Sequence, residues 1–256
     1  MSVTVELQGR LGNNLFQIAT GASLAAENKV HFIQPEWEHS KDFKLDFLYK
    51  DKQALGHVFH WTEPSYNFTK IPYYGPTKIS GYFQSYKYFN RHDKYIKQLF
   101  MRNVEPDEKI YDFLSYRRGK ISENSCVGIH VRRGDYLKLK DCHPVMSLDY
   151  YNNAVKLFPN STLFVFSDDT QWCKDNFNFN NETVFISGNS AIVDFHSMTL
   201  CDNFIISNSS FSWWAAYLGG AINKKVISPN PKTNWFGSAL RHYNMDDLIP
   251  NEWEIL

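Results

Sequence analysis

The stretch Ser125–Tyr136 joins an apolar, strand-like run to an abrupt group of charges. Its first part is rich in β-branched residues, which predicts a buried strand. It then continues into Arg132, Arg133, Gly134 and Asp135. Two cations at the carboxyl end of a buried strand are costly unless an anion meets them. Ligands of open α/β sheets bind at that end of the strands, and arginine can grip two phosphate oxygens at once. The stretch therefore predicts a phosphorylated ligand against the two arginines.

Other interpretations of the same residues remain open. His130 could be an ordinary half-buried histidine. The charged end could be a turn that carries surface charges. Arg133-Gly134-Asp135 also matches an adhesion tripeptide, although a hydrophobic strand that runs straight into it argues against an exposed adhesive loop.

Length and charge limit the class of protein. The 256 residues suffice for one large or two small domains. Lys plus Arg and Asp plus Glu number 27 each, so no global basic field for nucleic acid is expected. The four cysteines form no C-x-x-C pair, which indicates reduced, mostly buried thiols rather than a zinc or redox site. No apolar run approaches the length of a membrane span, and no signal peptide is recognisable.

The chain begins as a strand, a glycine loop and a helix. Gly9 and Gly12 follow an alternating, strand-like segment, and Asn13 or Asn14 could cap a helix that runs to about Glu27. Free amides at such a helix N-terminus can receive an anion. The glycine spacing matches neither a dinucleotide fingerprint nor a Walker loop, so a plain strand–helix turn explains it as well.

The rest of the first half is less regular. Short apolar runs predict strands at 30–33 and 78–83. Aromatic, proline and charged residues without a clear period predict loops and short elements over about 35–75. Apolar positions spaced between charges predict a helical region over about 86–116. The basic, glycine-containing segment 117–120 is interpreted as a solvated joint.

From Ser125 onward, strand and helix patterns alternate regularly, as is typical of a parallel, doubly wound sheet. Further strands are predicted at 162–166, 183–186, 203–206 and 225–228, and helices at 147–158, 170–177, 192–202 and 211–218. The tail to Leu256 contains several prolines and is expected to wrap back over the molecule.

Three strand ends in the second half should meet at one edge of this sheet. They carry the two arginines, Ser167-Asp168-Asp169, and Ser209-Ser210 at a helix N-terminus, which is a second phosphate cradle. Asp194 offers two acceptors to the N1–H and 2-amino groups of a guanine, but spacing alone favours an ordinary carboxylate in the first turn of a helix. No D-x-D triplet occurs, and the adjacent carboxylates Asp168 and Asp169 should diverge, so arginine is expected to replace a metal ion.

At this point the sequence resembles the α-1,2-fucosyltransferases of glycosyltransferase family 11. His130–Tyr136 is similar to the H-x-R-R-G-D signature of that family, and Gly9–Gln17 to its L-G-N-x-x-F-Q block. Phe166–Asp169 and Asp194–Leu218, which contains Ser-Phe-Ser-Trp-Trp, are similar to two later blocks. The four blocks occur in the family's order over nearly the whole chain.

The resemblance implies an α/β, GT-B-like fold with two Rossmann-type halves and mostly parallel sheets. Residues 1–120 would form the acceptor-side half and 121–256 the GDP-fucose-binding half, with the tail packing back on the first. It also implies inverting transfer of L-fucose from GDP-fucose, a co-substrate, to O2 of a terminal β-galactose, with no cofactor and no metal.

The resemblance also implies roles for single residues. Arg132 and Arg133 would hold the pyrophosphate, and His130 and Asp194 would contact guanosine. Backbone or hydroxyl donors would come from Ser209, Ser210 and Phe211. From the other half, Asn13, beside Gly12, would reach the phosphate or the fucose. Asp135 is the nearest carboxylate in the motif and a catalytic candidate, but it could equally cap the loop that positions the arginines, so the catalytic base stays open.

Animal members of the family carry a membrane anchor, and this chain shows none, which suggests a bacterial, cytoplasmic enzyme. Its partners would be GDP-fucose and a galactoside acceptor, and no nucleic acid is expected. Peripheral contact with lipid-linked glycans at the inner face of the membrane is one option. Three alternatives remain: a GDP-sugar-binding protein without turnover, a fucosyltransferase of different linkage, and a phosphate-binding or adhesive module.

Overall fold

The computed structural model describes residues 1–45, 58–118 and 125–256. Within them the chain forms two compact units. The first comprises Met1–Asn103 and Tyr243–Pro250, and the second comprises Val104–His242 and Asn251–Leu256. The predicted boundary between residues 120 and 121 lies outside the described residues, as does the end of the predicted joint at 117–120.

The first unit contains a parallel sheet with strand order β2-β1-β4-β3. Its elements in chain order are β1 (Ser2–Val5), α1 (Leu11–Glu27), β2 (His31–Phe32), β3 (Phe59–Thr62), β4 (Thr77–Ser80) and α2 (Asp93–Leu99). Short 3-10 turns occupy Glu38–Lys41, Tyr86–Tyr88 and Asn90–His92. The predicted strands at the start of the chain and near residues 30 and 80 are confirmed. The short elements predicted over 35–75 include β3, and residues 46–57 of that range lie outside the described part.

The predicted cap of α1 is wrong. Asn13 and Asn14 lie in the first turn of the helix, which begins at Leu11. The side chain of Asn14 has other partners: its Nδ2 donates to the Gln8 carbonyl at 3.1 Å, and its Oδ1 accepts a hydrogen bond from Trp37 Nε1 at 3.0 Å. The Asn14 side chain, which the sequence suggests as a helix cap, is therefore engaged in tertiary hydrogen bonds instead.

The helical region predicted over 86–116 is also divided. It contains two 3-10 turns, then α2 and α3 (Glu108–Arg118), with non-helical backbone between Phe100 and Asp107. Pro106 lies in that interval, and a proline lacks the N–H of a helix and disfavours helical backbone in the preceding residue. The break therefore has a local cause.

The second unit contains a larger parallel sheet with strand order β10-β9-β8-β5-β6-β7. Its further elements are β5 (Cys126–Val131), α4 (Leu148–Val155), β6 (Thr162–Ser167), α5 (Thr170–Asn176), β7 (Thr183–Ile186), α6 (Ala191–Met198), β8 (Asn203–Ile205), α7 (Ser210–Leu218), β9 (Val226–Ser228) and β10 (Glu254–Ile255). The predicted parallel, doubly wound sheet is confirmed.

β5 lies in the middle of this sheet, and all its residues are buried. Apolar side chains from α4, β6 and β8 pack against it, among them Tyr151, Leu163 and Ile205. Burial on both faces explains why β5 reads as a continuous apolar run. The polar residues that follow Val131 are thereby held at the edge of a rigid core.

The tail contributes to both units. Tyr243–Pro250 groups with the first unit, where Asp247 accepts hydrogen bonds from the Lys87 ammonium and the Phe68 amide. β10 then pairs with β9 in the second unit. In the described ranges, we find no helix with the length and hydropathy that crossing a bilayer requires. The four cysteines are unpaired, and three of them are buried, as predicted.

Candidate functional site

The strand ends that carry the predicted site are neighbours in the second sheet. β5 lies between β8 and β6, and all three run parallel, so their carboxyl ends share one edge. Arg132, after β5, has its Nη1 2.8 Å from Asp168 Oδ2, after β6. His130 Nδ1 lies 2.8 Å from Ser207 Oγ, after β8. The predicted convergence of these strand ends is confirmed.

Arg132 is held by two carboxylates from different loops. Its Nη2 donates to Asp135 Oδ1 at 2.6 Å, and its Nη1 pairs with Asp168. The Tyr136 ring lies 5.3 Å from the guanidinium carbon. The chain itself supplies the anions that this strand-end arginine needs, and the phosphorylated ligand against the arginines stays a prediction. A guanidinium has five N–H donors, so donors remain for a ligand beside these two pairs.

Arg133 has a different environment. Its guanidinium carbon lies 3.7 Å from the centre of the Trp172 ring, and its Nε donates to Asp169 Oδ2 at 3.0 Å. Its side chain is 14% exposed. Stacking and ion pairing together hold Arg133 flat against α5. Its contacts therefore suit a residue that stabilises the packing of α5 more than one that binds a ligand.

Asp168 and Asp169 diverge as predicted, each toward a different arginine. Asp168 Oδ1 also accepts from the Arg133 amide at 2.8 Å, and Asp169 caps α5 by accepting from the Trp172 amide at 3.3 Å. A Cβ on Gly134 would lie 2.5 Å from Asp168 Oδ2, so glycine is needed at this close approach. Across the described residues, no three His, Cys, Asp or Glu side chains group as a metal site would require. The absence of a metal requirement stays a prediction.

His130 is buried beneath this edge of the sheet. Its ring stacks on Phe211, with centroids 5.0 Å apart and planes inclined by 27°. Burial, assisted by the positive charge of Arg132, lowers the pKa of His130 to about 3. The imidazole is therefore neutral near pH 7 and can donate one hydrogen bond and accept another.

The other predicted guanosine contact, Asp194, lies in the first turn of α6, as the simpler interpretation holds. Its Oδ1 accepts from Asn189 Nδ2 at 3.0 Å, and the same nitrogen lies 2.6 Å from Asp107 Oδ2. Burial raises the pKa of the Asp194 carboxyl. The next residue, Phe195, packs edge-on against Phe211, which brings α6 beside the His130 stack.

Ser209, Ser210 and Phe211 form the start of α7. Ser209 is the N-cap residue, and Ser210 begins the helix. The first amides of a helix have no intrahelical partner and can receive an anion. The following tryptophans of the Ser-Phe-Ser-Trp-Trp segment, Trp213 and Trp214, are fully buried, so they serve the core.

Gly12 and Asn13 belong to the first unit, in the first turn of α1. Asn13 Oδ1 accepts from Gln84 Nε2 at 2.9 Å. Gly9 has a φ of +81°, and a Cβ there would lie 2.4 Å from Asn13 Nδ2, so the loop needs glycine. The role of Asn13 toward phosphate or fucose stays a prediction.

The sequence profile of Glycosyl transferase family 11 matches residues 2–253 of the chain. The chain belongs to this family. It is 31% identical over 191 residues to the alpha-1,2-colitosyltransferase of Escherichia coli, a match covering 70% of this chain and 62% of that protein. It is 31% identical over 242 residues to the galactoside 2-alpha-L-fucosyltransferase SEC1 of Bos taurus, covering 85% of this chain and 64% of that protein. The matched region thus spans about three fifths of these relatives.

Solved structures show the same fold as this family 11 chain. The NodZ α-1,6-fucosyltransferase of Bradyrhizobium, co-crystallized with GDP, superposes with a TM-score of 0.54 at 14% identity. The match covers 85% of this chain and 92% of that one. The predicted GT-B-like fold, with two parallel α/β sheets, is confirmed.

Sequence analysis missed several residues of the site. Trp172 under Arg133 and Ser207 beside His130 come from other elements, and no local pattern connects them to the arginines. Tyr136 was visible in the central stretch; its hydroxyl donates to the Asn208 carbonyl at 3.1 Å, and its ring stacks on His143. Its position directly after the cationic loop was the signal in the sequence that could have placed Tyr136 in the site.

Proposed function

We propose that this protein transfers L-fucose from GDP-fucose to O2 of a terminal β-galactose, with inversion at the anomeric carbon and without a metal ion. The observation that carries the proposal is the fixed position of Arg132 at the central strand end, in a chain that belongs to family 11. A named relative that acts as a galactoside 2-fucosyltransferase supports the linkage. The GDP complex of the NodZ α-1,6-fucosyltransferase, which has the same fold, supports the nucleotide.

Arg132 would act on the leaving group. Departure of GDP places negative charge on the β-phosphate, and a cation fixed beforehand stabilises that charge more than the ground state. Asp135 and Asp168 fix the guanidinium from two sides. This pairing makes Asp135 a positioning residue in our proposal, which favours its loop-capping interpretation over that of a base.

The guanosine would lie along α6 and the start of α7. The buried, neutral His130 supports Phe211 from below, and Asp194 presents a carboxylate at the first turn of α6. Because Phe195 joins the two helices through Phe211, a base held by Asp194 would lie close to the amides of Ser209 and Ser210. These amides would meet a phosphate or ribose oxygen.

Metal independence can be tested directly. Arg132 takes the place of Mg²⁺ in this proposal, and the carboxylates Asp168 and Asp169 are already engaged with arginines. Transfer should therefore survive excess EDTA. Loss of transfer in EDTA with rescue by Mg²⁺ or Mn²⁺ would mean that the pyrophosphate site has been misassigned.

The acceptor and the cellular setting belong to the same proposal. A galactoside is the acceptor, the protein acts in a bacterial cytoplasm, and lipid-linked glycans at the inner membrane face would be natural substrates. The deciding experiment supplies GDP-fucose with defined β-galactosides and reads the product linkage by NMR. An α-1,2 product supports the proposal, while another linkage, or GDP-fucose binding without turnover, would select one of the alternatives.

A second candidate is transfer of colitose, because the matched Escherichia coli relative is an alpha-1,2-colitosyltransferase. Colitose is fucose without its 3-hydroxyl. A site that hydrogen-bonds this hydroxyl rejects the deoxy sugar strongly, whereas an apolar site discriminates weakly. Competition between GDP-fucose and GDP-colitose for one galactoside separates the two. A site specific for fucose should favour GDP-fucose by well over tenfold in kcat/KM, whereas comparable values for the two donors would favour colitose transfer.

A further inference from the structure

A pocket of about 170 Å³ lies in the first unit, beside the C-terminal half of α1. Gly12 and Asn13 lie at the opposite end of that helix. The volume exceeds the roughly 30 Å³ that one water occupies, but it is below the roughly 300 Å³ at which pockets for drug-sized ligands begin. It suits one sugar unit.

The polar wall of this pocket lies on the C-terminal half of α1. Thr20 lines the pocket there, although its Oγ1 is itself buried and has no hydrogen-bond partner among the described residues. One helical turn further, Ser23 Oγ lies 2.9 Å from His92 Nδ1. The α1 side of the pocket therefore presents hydroxyl and imidazole groups.

The rim of the pocket is mainly cationic. Lys70, Lys87 and Arg91 line it, and Glu27 is its acidic member. Lys87 pairs with Asp247 of the tail. Arg91 Nη1 lies 3.7 Å from Glu27 Oε1, with both side chains largely exposed, so this pair is weak. For Lys70, no ion-pair partner occurs among the residues that the structure describes.

The remaining wall is aromatic. The rings of Phe68 and Tyr88 lie with centroids 5.1 Å apart, and Phe68 is 42% exposed. An aromatic face packs well against the C–H face of a sugar ring, while hydroxyl and cationic groups meet its polar substituents. Inorganic phosphate alone would leave this wall unused.

We propose that this pocket binds one anionic sugar unit, a monosaccharide that carries a carboxylate or a phosphate group. The pocket is formed by residues of the first unit, whereas the arginine site belongs to the second. Sugar binding in the pocket does not depend on the transferase activity proposed above.

The first test is calorimetric titration of the whole protein with glucuronic acid, glucose 6-phosphate, galactose and inorganic phosphate. We expect both anionic sugars to bind at least tenfold more tightly than galactose and than inorganic phosphate. The two anionic sugars distinguish carboxylate from phosphate as the preferred group. Galactose binding equally well would overturn the anionic requirement. Phosphate binding as tightly as the sugars would overturn the sugar assignment, and absence of binding by either anionic sugar would overturn the proposal.

Variants locate the binding. Phe68→Ala removes the exposed ring of the aromatic wall, so it should weaken the anionic sugar about tenfold. Lys70→Ala should weaken it roughly three- to tenfold. Lys94→Ala, an exposed lysine on α2 outside the pocket, should leave binding unchanged.

A GDP titration serves as the control for the other site. All three variants should retain the GDP-induced rise in melting temperature. A loss of sugar binding at the pocket can then be distinguished from a loss of nucleotide binding. If Phe68→Ala and Lys70→Ala bound the anionic sugars like the unmodified protein, the pocket would not be their site.

Discussion

At the scale of single residues, two adjacent arginines have separate surroundings. Arg132 reaches carboxylates on two loops through its two terminal nitrogens, whereas Arg133 lies flat on Trp172. The two arginines look equivalent in sequence. In the structure, however, Arg132 is fixed at its terminal nitrogens and keeps N–H donors for a ligand. Arg133 has the setting of a residue that joins β5 to α5.

The first prediction concerns Arg132→Lys. Lysine retains the charge but loses the planar fork that meets Asp135 and Asp168 together. We expect kcat/KM for fucosyl transfer to fall about 30- to 1,000-fold, about 2–4 kcal/mol, as for loss of one preorganised anion donor. Arg132→Ala should be at least as damaging, and both variants should still melt cooperatively, since the core around β5 is untouched.

Arg241→Lys, at an exposed position, is the matched control and should be neutral. Turnover of Arg132→Lys at a near-normal rate would make Arg132 a structural residue and move its role to Arg133.

The second prediction concerns His130 and pH. Its pKa is about 3 in the folded protein and about 6.5 in an unfolded chain. Below pH 6.5 the unfolded state binds a proton that the folded state does not, so stability falls as the pH drops toward 3. Between pH 7 and pH 5 this group should remove about 2 kcal/mol from the free energy of unfolding.

Urea denaturation at the two pH values measures this loss, and the His130→Gln variant should lack it. The His60→Gln variant, changed at an exposed position, should keep it. An equal pH dependence in His130→Gln and the unmodified protein would show that His130 becomes protonated in the folded state.

At the scale of elements, the first turn of α5 connects the arginines to the sheet. Asp169 ends the loop after β6, caps α5 and accepts from Arg133. Two functions thus share one carboxylate: a helix cap, which needs only an acceptor oxygen, and an ion pair, which needs the charge. Substitutions can separate them.

The third prediction therefore compares Asp169→Ala with Asp169→Asn. Loss of an N-cap acceptor costs about 0.5–2 kcal/mol, and asparagine caps nearly as well as aspartate. We expect Asp169→Ala to lower the free energy of unfolding by about 1–2 kcal/mol and Asp169→Asn by less than half of that, since asparagine keeps the acceptor oxygen for the Trp172 amide. Equal losses, measured by urea denaturation, would show that the pair with Arg133 outweighs the cap.

At the scale of the whole molecule, the chain passes between its two units more than once. It leaves the first near Asn103, returns at Tyr243 and ends in the second sheet as β10. The residues predicted to contact the nucleotide lie in the second unit, apart from Gly12 and Asn13. Ligand binding to the folded chain should then be visible as global stabilisation.

The fourth prediction is that GDP raises the melting temperature and UDP does so far less. A ligand that binds only the folded state stabilises it by mass action, and a carboxylate at Asp194 suits the N1–H and amino group of guanine. Asp194→Asn, which keeps the size but not the acceptor pair, should reduce the preference for GDP. Equal shifts from GDP and UDP in the unmodified protein would remove Asp194 from the guanine site.

The sequence by itself determined the elements of the second half and the edge at which they meet. Strand and helix periodicities are local, and the carboxyl ends of parallel strands lie at the same edge of a sheet, so the gathering of the segments after β5, β6 and β8 at one edge followed from order along the chain. Family membership was equally visible, because its blocks are short and contiguous.

Only the tertiary structure decided which side chains touch. It assigned Asp168 to Arg132 and Trp172 to Arg133, buried His130 against Phe211, and gave the Asn14 side chain a partner in Trp37. Such contacts depend on rotamers and on the approach of elements distant in sequence. No local pattern encodes them, because each is settled by the packing of the whole core around it.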